Sequence, residues 1–142
     1  MARKRRETLD LRAMPHVLIE TRRGLTPRQK RDVLEAAHAA LVAAFKIPEA
    51  NRVGRIVEHS PEDFDAPASK GERFMIVTID ALAGRSLDAK RALYREMVTR
   101  LEAAGVPRND VVVVLHETSP ENWGTRGGQA ACDLDLGFNV KV

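Results

Sequence analysis

The chain repeats itself, and nothing else in it constrains the fold as much. Residues 58–64 read EHSPEDF and residues 117–123 read ETSPENW, an offset of 59. Phe64 faces Trp123 and Asp63 faces Asn122, so shape is kept where identity is lost. Upstream, Gly24-Leu25-Thr26 matches Gly84-Arg85-Ser86 at an offset of 60, and Lys30 matches Lys90. The slip of one residue falls where Phe45-Lys46-Ile47-Pro48 faces Gly105-Val106-Pro107. Two copies, about residues 15–68 and 74–125, are too few for a solenoid. They point to a fused duplication with an internal pseudo-twofold.

Each copy reads as strand, helix, strand. Residues 16–20 and 74–79 are short β-rich runs. The first helix opens with Thr26 as N-cap, Pro27 behind it and Gln29 at the third position, a capping box. Leu34, Ala37, His38, Leu41 and Phe45 then recur at helical spacing. The second helix opens at Ser86, carries Tyr94, Met97, Val98 and Leu101, and stops at Gly105 with Pro107 behind it. The closing strands fall at 52–58 and 111–117. The second is a nearly continuous apolar run, as expected of a strand covered on both faces or nearly so.

Parallel strands joined through a helix form a βαβ unit. Two units give an α+β sandwich: a four-stranded sheet with two helices on one face. The other face lacks a cover within the chain, and self-association would supply one. In residues 133–142, Leu134, Leu136, Phe138, Val140 and Val142 alternate with Asp133, Asp135, Gly137, Asn139 and Lys141. That alternation predicts an extra C-terminal strand, added to a neighbouring subunit or packed back on its own chain. Residues 14–142 read as one domain, preceded by a basic, disordered extension over 1–13.

Composition narrows the function classes. Arg3, Lys4, Arg5, Arg6 and Arg12 stand against Glu7 and Asp10, which accounts for the whole net charge of +3. The rest of the chain is balanced, so a basic nucleic-acid footprint is missing. One Trp, one Tyr and four Phe offer little for base stacking. No apolar run is long enough for a spanning helix, and the basic N-terminus lacks the apolar stretch of a secretory signal. Cys132 stands alone, which excludes an intrachain disulfide and fits a reducing cytoplasm.

The β-α-β-β-α-β string alone fits several folds, ferredoxin-like binding modules included. Particular residues separate them. Met14-Pro15-His16-Val17-Leu18-Ile19-Glu20, followed by Gly24-Leu25-Thr26-Pro27-Arg28-Gln29-Lys30, resembles the start of a 4-oxalocrotonate tautomerase subunit. Gly84-Arg85-Ser86-Leu87-Asp88-Ala89-Lys90 is closer still to that family's helix start. Glu117 followed by Trp123-Gly124-Thr125-Arg126-Gly127-Gly128 is similar to its closing motif, with one residue inserted. The fused length resembles the double-unit branch of the tautomerase superfamily, which includes malonate semialdehyde decarboxylase and cis-3-chloroacrylic acid dehalogenase. The resemblance implies a homotrimer, no metal or organic cofactor, and a site built around an N-terminal proline, carboxylate-binding arginine and an aromatic wall.

The chemistry follows from residue types. A prolyl amine at a chain end, buried near arginines, loses its proton more readily and serves as general base. An arginine can hold the carboxylate of a small 2-oxo acid and stabilise a developing enolate. By the resemblance, Pro15 and Arg85 are the catalytic candidates and Trp123 the aromatic wall. The first-copy counterpart of Arg85 is Leu25, which implies one such site per chain. The family's second arginine falls at Val112, and Arg126 is the candidate replacement. The decarboxylase aspartate falls at Asn51, a substrate-binding candidate that cannot act as a base. That departure places keto–enol proton transfer ahead of decarboxylation or hydration. While residue 14 stays attached, Pro15 nitrogen is an amide and the mechanism fails. Translation from Met14 with methionine removal, or processing, would expose the amine. A blocked Pro15 implies a non-catalytic trimeric scaffold instead.

Other candidates have plainer readings. His16, His38, His59 and His116 lack metal-ligand spacing, and His38 reads as a satisfied core or interface residue. Cys132 reads as a quiet packed thiol. Gly127-Gly128 reads as a tight hairpin, and Glu58 and Glu117 as a repeated hydrogen-bond acceptor.

Overall fold

A computed structural model describes residues 14–135, 137 and 139–142. The extension at 1–13, and Leu136 and Phe138 of the expected last strand, lie outside the described residues. Strand β1 (His16–Arg22) is followed by helix α1 (Pro27–Phe45) and strand β2 (Val53–His59). Strand β3 (Met75–Leu82), helix α2 (Leu87–Ala103) and strand β4 (Val111–Thr118) repeat the unit. The sheet order is β2-β1-β3-β4, parallel within each unit and antiparallel between β1 and β3. Leu18 pairs with Thr78, its own counterpart at the offset of 60. The pseudo-twofold therefore passes through that pair, and the duplication read from sequence is the symmetry of the sheet.

The helices form where the capping chemistry places them. Thr26 Oγ1 accepts from Gln29 N, and Gln29 Oε1 accepts from Thr26 N, closing the box. Ser86 Oγ caps α2 through Ala89 N. Val17, Ile19, Val77 and Ile79 of the central strands meet Val33, Ala37, Leu41 and Phe45 of α1 and Leu93, Met97 and Leu101 of α2 in one core. The stripe on α2 differs by one residue from the expected one: Leu93 is buried, and Tyr94 turns outward.

Two expectations for the sheet need correction. Within the single chain, strand β4 is covered on one face only: Val111, Val113 and Leu115 pack on the core, while Val112 and Val114 are about 40% exposed. The alternation is that of a two-layer sandwich. The second correction concerns the C-terminus. The extra strands are β5 (Gly124–Thr125) and β6 (Gln129–Ala130), a hairpin closed by Gly127 and Gly128 at positive φ. Among the described residues of 133–142 none pairs in a sheet. Gly137 takes a positive φ, and Asn139 Oδ1 accepts from Lys141 N, so local turns replace regular extension. Cys132 is exposed rather than packed.

The motif shared by the copies forms the same short 3-10 turn twice, at Pro61–Asp63 and Pro120–Asn122. Just before it, Glu58 ties β2 to the start of α1. Its carboxylate accepts from Gly24 N and Leu25 N and pairs with Lys30 at 2.6 Å. The Lys30 contact, with the two amides, holds Glu58 below its ordinary value of 4.5 against the effect of burial. A lowered carboxylate pKa contributes stability above the ordinary value and loses it as pH falls through the folded one. Glu58→Ala is therefore expected to cost about 1–2 kcal/mol near pH 7 in urea unfolding, with the difference shrinking below about pH 4. Leu101→Ala, at a fully buried position, is expected to cost about 2–5 kcal/mol through its cavity, read as a shifted urea midpoint.

Candidate active site

A cavity of about 230 Å³ opens between α1 and the edge of the sheet. Pro15 and Val17 enter it from β1; Leu34, Ala37, His38 and Leu41 wall it from α1; Asn51, Arg52, Val53 and Gly54 close it from the start of β2. These segments meet because β1 and β2 are parallel, with His16 beside Val53. That register brings the residue before β1 alongside the residues before β2. Pro15 and Asn51, paired by sequence reasoning as site residues, thus share one wall-to-wall space. Asn51 is buried, and its amide donates to Pro48 O at 2.9 Å, which fixes the turn that carries it.

Two further polar side chains reach the same cavity. His38 is buried, with Nε2 2.9 Å from Glu49 O, so its reading as a satisfied core residue holds, but it also faces the cavity. Arg52 lines the rim and pairs with Glu35 at 2.7 Å. Adjacency to Asn51 was the signal for Arg52. No local signal marks His38, because its place depends on helix rotation against a distant loop.

Arg85 does not line this cavity. It stands at the same end of the sheet, just past β3. Its Nη1 donates to Leu82 O at 2.8 Å and its guanidinium lies 4.6 Å from the Phe45 ring centroid. Arg85 is 7% exposed, and its Nε has no partner among the described residues. Burial pushes its pKa down from the ordinary arginine range, and the Glu117 carboxylate opposes the shift. It remains a cation at neutral pH. A buried guanidinium with an open donor carries a desolvation cost that an anion would relieve.

The two copies differ here in one telling way. In the first, the amides of Gly24 and Leu25 hold the Glu58 carboxylate. In the second, Glu117 keeps the equivalent pairing with Lys90, but among the described residues no carboxylate accepts from the Gly84 or Arg85 amides. The same turn that binds a carboxylate in one repeat carries an unpaired arginine in the other.

Trp123 stands at this end too. Its ring meets His16 edge-on at 5.1 Å, and Nε1 donates to Thr118 Oγ1 at 2.5 Å. It packs with Leu134 and Val140 on a small cluster of Met14, Leu82 and Ala131. Met14 is buried there, directly preceding Pro15. Arg126 sits in the turn of the β5–β6 hairpin at φ 49 and is not among the residues that line the cavity. Among the described residues no group of three His, Cys, Asp or Glu is arranged to hold a metal, and no helix is long and apolar enough to cross a membrane.

Comparison with known proteins bears on the family and the fold. The chain is 24% identical over 123 residues to a probable tautomerase, YrdN, of Bacillus subtilis (strain 168), covering 82% of this chain and 95% of that one. Malonate semialdehyde decarboxylase superposes with a TM-score of 0.72 at 26% identity, over 77% of this chain and 88% of that one. A fused 4-OT symmetric trimer superposes with a TM-score of 0.72 at 27% identity, over 82% of this chain and 95% of that one. The profile of a family described as "Tautomerase enzyme" matches residues 51–126, more than half of the chain. With its tandem βαβ units around one mixed sheet, the chain belongs to the tautomerase family.

Proposed function

We propose that the protein is a tautomerase-family enzyme that transfers a proton between carbon and oxygen of a small 2-oxo acid. The observation that carries the reading is the shared cavity: Pro15 borders a mostly apolar space that Asn51 also lines. In the active form Pro15 is the chain's first residue. Its secondary amine takes the enol O–H proton as the C=O bond forms and delivers it to the adjacent carbon, making the C–H bond of the keto acid. Asn51 orients the carbonyl oxygen. The Gly84-Arg85-Ser86 turn receives the substrate carboxylate, as its counterpart receives Glu58, and Trp123 screens this end from water. Arg126 belongs to the reading as a second arginine delivered by assembly. The enzyme works in the cytoplasm without metal or cofactor.

The exposed sheet face supports a homotrimer. Val57, Val112 and Val114 each expose about two-fifths of their surface there, and a fused 4-OT relative is described as a symmetric trimer. Burying such a patch between subunits removes apolar surface from water. Val114→Asp is expected to shift the mass in light scattering from trimer to monomer. An unchanged mass would place the interface elsewhere.

A second reading rests on Met14. Its burial with Leu82 and Ala131 favours a chain that keeps Met14, and Pro15 nitrogen is then an amide without a basic lone pair. The protein would be a non-catalytic trimer. Intact mass and N-terminal sequencing of the native protein decide which form exists. Ketonisation of phenylpyruvate or 2-hydroxymuconate is expected from a chain beginning at Pro15 and not from the full chain. Pro15→Ala in the trimmed chain is expected to lower the rate at least about 100-fold with folding unchanged. Equal activity of full and trimmed chains would refute the proline as base.

A further inference from the structure

The end of the chain lies across the arginine turn. A Cβ at Gly84 would come within 2.9 Å of Val140 O and 3.0 Å of Val140 Cγ2, so the backbone of residue 140 passes where a side chain would otherwise stand. Ser86 N donates to Val142 O at 2.7 Å. Val140 also packs on the Met14, Leu82 and Ala131 cluster. Arg85 is therefore flanked on both sides by the tail, through Gly84 and Ser86.

The two repeats explain why the tail is accepted. In the first copy the N-cap amide of Thr26 is satisfied by Gln29 Oε1. In the second copy the residue at Gln29's place is Ala89, which has no acceptor. The Ser86 amide is left open, and the Val142 carbonyl fills it. A helix start missing its own box, a glycine shaped to the tail and an arginine with an unpartnered Nε coincide at one turn.

We infer that residues 139–142 form an autoinhibitory strap, which occupies the carboxylate turn and must lift before a ligand carboxylate reaches Arg85. The inference rests on the reading of that turn as the substrate's carboxylate site and adds its regulation. Among the described residues the strap is held by one backbone hydrogen bond and one valine contact set. That is weak enough to open locally without unfolding the sheet.

The test does not need turnover. The full chain and Val140→Asp are treated with an arginine-selective dicarbonyl, and modification is read at Arg85 by peptide mass. Amide exchange at Ser86 is followed in parallel. The expected result is Arg85 modified at least about tenfold faster in the variant, with Ser86 exchange faster by a similar factor and circular dichroism unchanged. Arg85 equally reactive in both, or unreactive in the variant although Ser86 exchange has risen, overturns the strap, since burial under Phe45 alone would then account for its protection. If Val140→Asp fails to fold, the chain lacking residues 139–142 takes its place: faster Arg85 modification supports the strap, and an unchanged rate overturns it. In a chain beginning at Pro15, KM for the 2-oxo acid should fall in the variant. Labelling that responds while no ketonisation appears in any form would support the strap and sink the enzymatic reading. Ketonisation without a labelling response would do the reverse.

Discussion

The antiparallel joint between β1 and β3 is the interaction on which the rest of the molecule depends. Each βαβ unit by itself is a two-stranded sheet with one helix, too little to bury a core. Pairing across Leu18 and Thr78 doubles the sheet and brings α1 and α2 side by side over Ile19, Val77 and Ile79. The same joint sets the start of β1 beside the end of β3. Pro15, Leu82, Arg85 and Trp123 gather at one end of the sheet because His16 pairs with Asp80, not because they are near in sequence.

Duplication also supplied a pair of turns that have diverged. Gly24-Leu25-Thr26 is a finished structural element: its amides are taken by Glu58 and its cap by Gln29. Gly84-Arg85-Ser86 is the same backbone with those partners removed. Arg85 in the place of Leu25 puts a cation there, Ala89 in the place of Gln29 removes the capping amide, and Glu117 keeps its lysine without the two amides. Structural satisfaction in one copy thus stands against deficit in the other. The cost is a buried cation with an open Nε donor among the described residues.

Much of this was legible in the residues. The offset of the repeats, Thr26 and Ser86 as caps, Gly105 as helix stop and Gly127-Gly128 as a hairpin all rest on short-range chemistry, and each appears as read. The errors also share a cause. The tail alternates in hydrophobicity, yet alternation needs a partner strand to become a sheet, and Gly137 and Asn139 prefer local turns. The valines of β4 suggested burial on both faces, yet periodicity alone does not count the layers above a strand. Leu93 rather than Tyr94 faces the core because the rotation of α2 is set by its contact with α1.

Sequence alone determined the two βαβ units and the capping of their helices, because caps, breakers and periodicity act within a few residues. Tertiary structure decided which of those residues meet. His38 joins Pro15 and Asn51 in one cavity, Arg85 is buried under Phe45 with its donor unpaired, and Val140 lies against Gly84. Those contacts link positions far apart in the chain. Strand register and helix rotation set them, and both are products of the whole core rather than of any segment in it.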